Sequence, residues 1–355
     1  MKKKIFRLVL FCFAGIMLFA SCKKEFTVTV QSNNTEWGTV SGGGTYTEGT
    51  EIYIEAQSYS GCEFVSWQDG NTENPRSVTV KSDETFVAVF AQIVFSVSET
   101  QKVFFSSGNL QWSAEGTHAV ADGGTAAGTW RFALNQWDTV GIDNENISST
   151  YSGWIDLFGW GTSGYDNKYP YIKNAPNIDY GNGNIDISGT YYDWGVYNAI
   201  YNPHTNTTDA PGTWRTLTKD EWVYLLETRN TASEIRYAKG SVNGVNGLIV
   251  VPDNWNTSIY PLSSTNTADA DFTTNNISSA DWTKMEARGC VFLPASGFRV
   301  NTLVLFVGSI GYYRSTKHYS DNYANSLYFY SSTLDPSYFQ QRNDGQSVRL
   351  VKDVQ

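Results

Sequence analysis

Between Phe26 and Phe90 the chain alternates apolar and polar residues in four stretches: Phe26-Thr27-Val28-Thr29-Val30, Glu51 to Ala56, Ser77-Val78-Thr79-Val80 and Thr85 to Phe90. A period of two puts one set of side chains on a core and the other in water, which a helix cannot do. Gly42-Gly43-Gly44, Glu48-Gly49 and Asp69-Gly70-Asn71 lie between the stretches and supply the turns. Residues 26–91 are therefore expected to form one small β module.

Within it, Phe64-Val65-Ser66-Trp67-Gln68-Asp69-Gly70 precedes Asn74-Pro75-Arg76 and the stretch ending at Phe90. This segment resembles the divergent internalin B-repeat family. The resemblance implies a β-grasp-like sheet module used as a stalk or adhesive repeat. A single copy is expected to act as a spacer, with Trp67 in its core rather than on a ligand platform.

The pattern changes from Ile93 onward. Aromatic residues make up 15% of the chain, with 12 Trp and 22 Tyr, and no long apolar helical stretch occurs. That composition predicts a β-rich, loop-rich domain over 93–355, stabilised by aromatic burial. Strands are expected at Val103 to Ser106 and Gly247 to Val251, and two short helices stand out. Thr218 and Glu221 form a capping box ahead of Trp222 to Arg229, where Trp222, Leu225, Leu226 and Arg229 share a face. The second helix is expected from Ala280 to Arg288, capped by Ser279, with Trp282 and Met285 inward and Gly289 as the stop.

Four segments in order carry a second resemblance: Trp214 to Trp222, Val291 to Arg299, Gly311-Tyr312-Tyr313-Arg314-Ser315-Thr316 and Gln346 to Val351. Together they resemble domains related to the formylglycine-generating enzyme. The resemblance implies a C-type lectin-like fold with a small twisted sheet and two helices. The expected class is thus α+β, β-rich.

The amino terminus reads Met1-Lys2-Lys3-Lys4, an apolar run to Phe19, then Ala20-Ser21-Cys22. This is a secretory signal over 1–21, and the Leu8–Phe19 run is too short to span a bilayer. The closing residues resemble a lipobox, with Phe19 where that pattern carries Leu, Val or Ile. The resemblance implies acylation of Cys22, a short anchor segment over 22–25, and a lipid-anchored protein of the cell envelope, at the outer membrane or cell surface. Cleavage removes four basic residues and no acid, so the formal charge moves from −10 to −14. That balance argues against nucleic acid as a partner.

Catalysis finds little support. The formylglycine-generating enzyme needs a paired cysteine, whereas this domain has Cys290 alone between apolar neighbours. Cys62 and Cys290 could bridge outside the cytoplasm or stay as separate buried thiols. His118 in a Gly/Ala-rich loop and His204 in a turn have no nucleophile beside them in a recognisable setting. Asp143-Asn144-Glu145-Asn146 and Asp253-Asn254 are oxygen-rich, but such loops more often cap turns than hold calcium. No cofactor, metal or catalytic residue is assigned.

The segment from Tyr312 to Arg342 holds nine aromatic residues, from Tyr312 to Phe339. If Leu327 and Phe329 face the core, Ser326, Tyr328, Tyr330 and Ser332 face outward. Tyrosines mixed with Ser, Asp and Asn make a paratope-like surface, rigid and adaptable in hydrogen bonding. The segment also resembles the variable region of retroelement-diversified C-type lectin-like proteins. That resemblance implies that exposed positions are mutated within a fixed frame. The expected binding residues are His318, Tyr319, Asp321, Tyr323, Ser326, Tyr328, Tyr330, Ser332, Tyr338, Phe339 and Asn343. The expected ligand is a protein, peptide or glycan outside the cell. The alternatives are a structural, fimbria-like envelope component and an enzyme of the formylglycine-generating type.

Overall fold

The computed structural model describes residues 23–59 and 61–354. Cys22 and the signal segment lie outside the described residues. The described residues divide into two compact units, the first ending at Ala91 and the second beginning at Gln92. Among the described residues strands account for 42% and helices for 11%, so the class is α+β and β-rich.

The first unit runs through β1 (Glu25–Ser32), β2 (Gly38–Ser41), β3 (Gly44–Thr47), β4 (Glu51–Ser58), β5 (Cys62–Trp67), β6 (Arg76–Thr79) and β7 (Glu84–Gln92). One sheet has the order β3-β1-β7-β5 and a second the order β2-β4-β6. β1 and β7 pair in parallel, with Val28 opposite Glu84. The alternation works as its period requires: Ile52, Ile54 and Ala56 are buried while Glu51, Tyr53 and Glu55 are exposed. Trp67 is fully buried, touches Phe64 and Phe86, and its indole N–H donates to the Glu73 carbonyl at 2.9 Å. Below it, Arg76 pairs with Asp69 at 2.7 Å and closes the turn after the tryptophan.

The second unit starts with β8 (Phe95–Ser96), β9 (Lys102–Phe105), β10 (Leu110–Ala119) and β11 (Thr125–Phe132). A one-turn helix α1 (Trp194–Tyr197) leads to β12 (Ile200–Asn202), β13 (Thr207–Asp209), β14 (Arg215–Thr216) and helix α2 (Lys219–Val223). Then come β15 (Tyr237–Val242), β16 (Val245–Val250), β17 (Asn276–Ile277), helix α3 (Ser279–Glu286) and β18 (Val291–Pro294). The unit ends with β19 (Phe298–Val300), β20 (Leu303–Leu305), β21 (Gly311–His318), β22 (Tyr323–Tyr330), β23 (Thr333–Gln341) and β24 (Leu350–Asp353). Its sheets have the orders β10-β11-β12-β13, β14-β24-β9-β8, β17-β15-β16-β18, β19-β20 and β21-β22-β23.

Helix α2 begins at the expected capping box: the Glu221 amide donates to Thr218 Oγ1 at 3.2 Å, and Glu221 Oε2 accepts from the Thr218 amide at 2.7 Å. It runs on into a π turn over Tyr224–Thr228. Trp222, Leu225 and Leu226 go into a core with Val103, Leu293, Tyr313, Leu327 and Phe329. Arg229 is buried too, neutralised by Asp253 at 2.9 Å and donating to the Leu225 and Val251 carbonyls. Helix α3 starts one residue earlier than expected, because Ser278 rather than Ser279 accepts the Asp281 amide. Trp282 and Met285 are buried as expected, in a cluster with Cys290 and Phe292. His118 lies at the end of β10, not in a loop, and bonds the Gly128 carbonyl and Asn198. A bulge between Ser113 and Thr117 breaks the alternation of that strand.

Candidate ligand-binding surface

The three-stranded sheet β21-β22-β23 carries the surface. Gly311 begins it for a steric reason. A Cβ there would come within 2.1 Å of the Phe329 ring, so only glycine lets that ring lie across β21. Tyr313, Leu327 and Phe329 fill the core side. The Tyr313 hydroxyl is itself satisfied, donating to the Pro294 carbonyl at 2.9 Å.

On the opposite side, Tyr312 stands across from Tyr328, and Tyr328 across from Asp335. A register shift between Ser326 and Tyr328 brings Tyr338 alongside. The rings form a ladder: Tyr312 stacks on Tyr328 at 4.7 Å between centroids, and Tyr328 meets Tyr338 at 4.6 Å and Tyr330 at 5.6 Å. Tyr312 is buried beneath, while Tyr328, Tyr330 and Tyr338 are half-buried. Burial, followed by the neighbouring phenols, raises the Tyr328 pKa, so it stays a neutral hydrogen-bonding group at ordinary pH. Beyond the ladder, Tyr319 and Phe339 stack face to face at 4.2 Å and are both exposed, with Tyr323 edge-on to Phe339 at 5.6 Å.

Polar residues frame this pair. His318 Nδ1 meets Asp186 Oδ1 at 2.8 Å, and Lys317 Nζ meets Asp186 Oδ2 at 3.0 Å. Burial works to raise the Asp186 carboxyl, but the bonds from His318 and Lys317 outweigh it and hold the group below the usual range. Asp321 is exposed and accepts a hydrogen bond from Asn184. Buried Arg342 ties the loops together: it donates to the Gly183 and Ser320 carbonyls and to Asn184 Oδ1, and lies over the Trp160 ring at 4.9 Å. The structure thus brings His318, Tyr319, Asp321, Tyr323 and Phe339 together at one end and Tyr328, Tyr330 and Tyr338 along the ladder.

Three of the expected residues differ. Ser326 is on the tyrosine side of β22 but fully buried, because Gln346 folds over it and accepts its hydroxyl proton at 2.6 Å. It cannot meet a ligand as expected. Ser332 is exposed but lies in the hairpin loop after β22, not in the strand. Asn343 is half-buried, its amide donating to Asn177 Oδ1 at 3.0 Å, with the side-chain oxygen enclosed.

Sequence reasoning did not single out Asp186, which fixes His318 from a loop more than a hundred residues away. Nor did it single out Lys239. This buried side chain reaches from β15 and donates to the carbonyls of Tyr330 at 2.6 Å and Thr333 at 2.9 Å, on either side of the hairpin loop, and to that of Ala268. No local pattern signals either contact. Within the oxygen-rich stretches, Asn144 is buried on Asp156, and Asp253 binds Arg229 and Ser96. Among the described residues no group of three or more His, Cys, Asp or Glu side chains converges as a metal site would require.

Residues 28–94 match the model of the divergent InlB B-repeat domain, a module typical of surface-associated bacterial proteins. No curated protein and no solved structure matches the chain.

Proposed function

We propose that this chain is a lipoprotein held to a bacterial envelope through Cys22, with the repeat module as a spacer and the second unit as a C-type lectin-like binding domain. The ligand is a protein, peptide or glycan outside the cell. The observation that carries this reading is the tyrosine ladder of Tyr312, Tyr328, Tyr330 and Tyr338 beside the exposed Tyr319–Phe339 stack. Aromatic side chains supply large contact area with few rotatable bonds, and they rest here on a sheet whose other side is core. Position-by-position change within the exposed set is the mode of diversification this reading favours.

Cys290 supports a non-enzymatic reading. It is fully buried, and burial drives its thiol pKa far up, which suppresses the reactive thiolate. A structural envelope component remains the second reading, since the same aromatic face could dock a subunit.

The test is a screen of the soluble chain on glycan and peptide arrays, repeated with Tyr328→Ala/Tyr330→Ala. Hits that vanish while thermal unfolding is unchanged support the reading. Hits that persist move the site elsewhere. For the anchor, a lipid label should enter the wild type and not Cys22→Ser.

A further inference from the structure

The tyrosine ladder does not end at its own sheet. Tyr312 packs edge-on against Phe298 at 5.3 Å, and Phe298 stacks on Phe306 at 6.1 Å and 14°. Phe306 is 56% exposed, and Leu303 and Val307 on the same hairpin segment are exposed as well. The turn Gly141–Asn146 packs beside β20, and its Ile142 is 67% exposed. Four large apolar side chains therefore continue the aromatic strip onto a different part of the surface. Contiguous exposed apolar area of this kind marks interaction sites, whereas single exposed apolar residues do not.

Phe306 has a φ of +59°, a backbone region that bulky residues rarely adopt. Its carbonyl accepts from the Ser309 and Ile310 amides, and the Gly308 amide donates to Ala295 at 2.7 Å. The loop is thus fixed with the ring turned outward. Strain of this sort persists where the surroundings over-determine it, and it concentrates at ligand contacts.

Charge indicates the occupant. No charged residue occurs from Val300 to Tyr313. Beside the strip stand exposed Asp143 and half-buried Glu145, which follow Ile142, and Asp335, which faces Tyr328. The basic residues of the same elements are occupied: Arg299 and Arg314 are buried, and Lys317 is paired with Asp186. A second copy of this acidic chain would bring like charge to like. A basic partner would meet opposite charge.

We propose that Phe306, Leu303, Val307 and Ile142 extend the binding surface, and that its occupant is a segment of another protein with apolar anchors flanked by Lys or Arg. The inference rests on the reading of the ladder as a binding surface and narrows the ligand to a basic protein segment.

The test uses three synthetic peptides of equal length, built from Lys and Leu, Lys and Ser, or Glu and Leu, titrated against the full chain by fluorescence anisotropy. The Lys–Leu peptide should bind best, and added salt should weaken it. Phe306→Gly should reduce that binding about tenfold, the scale of losing one aromatic anchor. This variant relieves the left-handed backbone, so its fold is not at risk. Equal binding of the Lys–Leu and Lys–Ser peptides, or no effect of Phe306→Gly, overturns the proposal. So does concentration-dependent dimerisation that Phe306→Gly abolishes, which would make the occupant a second copy. A glycan hit lost in Tyr328→Ala/Tyr330→Ala but kept in Phe306→Gly would uphold the ladder and overturn this extension alone.

Discussion

Asp344 is a nearly buried carboxylate beside the buried guanidinium groups of Arg299 and Arg314. Burial pushes its pKa up to about 6, against the pull of Arg314 and Arg299. Asp156 and Asp193 are likewise raised by burial to about 6, despite hydrogen bonds from Val140 and Asn144 to the one and from Thr216 to the other. An unfolded aspartate titrates near ~3.9. The folded state therefore binds protons more readily, and the stability these groups contribute is complete below ~3.9 and lost as pH rises through about 6. Urea unfolding should show stability falling across that window, and Asp344→Asn should flatten part of the fall, on the order of 1–3 kcal/mol. An unchanged slope would assign the effect to other groups. At this scale the sequence is only half legible. Period two placed Ser326 on the tyrosine side, but nothing local shows that Gln346 covers it.

The hairpin β22–β23 holds its shape partly through Lys239. With its ammonium replaced, the Tyr330 and Thr333 carbonyls lose their buried partner. Lys239→Met should therefore cost on the order of 1–3 kcal/mol. It should also speed amide exchange at residues 330–334, read by mass spectrometry, more than in the β15–β16 hairpin. Thr218→Ala tests a local device: loss of the capping box should cost about 1 kcal/mol in chemical denaturation. That cap was legible because its parts lie three residues apart. The long alternating strands β1, β4 and β7 were legible for the same reason. β2 and β3, of four residues each and with only Gly38 buried, carry too little pattern to be seen. The hidden Asp186 contact lies beyond any window that spacing can read.

Each unit has its own core. The first gathers Phe26, Ile54, Trp67, Val80 and Phe90, and the second holds three clusters of its own. A core as small as the first leaves little reserve, since small domains bury a low fraction of their surface. Trp67→Ala should cost about 3–5 kcal/mol and unfold that unit. Calorimetry should then show the loss of one transition while the other keeps its temperature. A joint shift of both would mean that the units unfold as one. The β-rich class was readable from composition, but the order β14-β24-β9-β8 was not, because its partners are far apart in the chain.

That sheet order also sets a timetable. β24 lies between β14 and β9, with Val351 opposite both Arg215 and Phe105. A ribosome adds roughly 5–20 residues per second, so Phe105 waits on the order of tens of seconds for its neighbour to be made. Throughout that interval the second unit has an open seam, and a chain cut short before Leu350 never closes it. The second unit is thus kept threadable until β24 has been made, and that sheet closes in one late step.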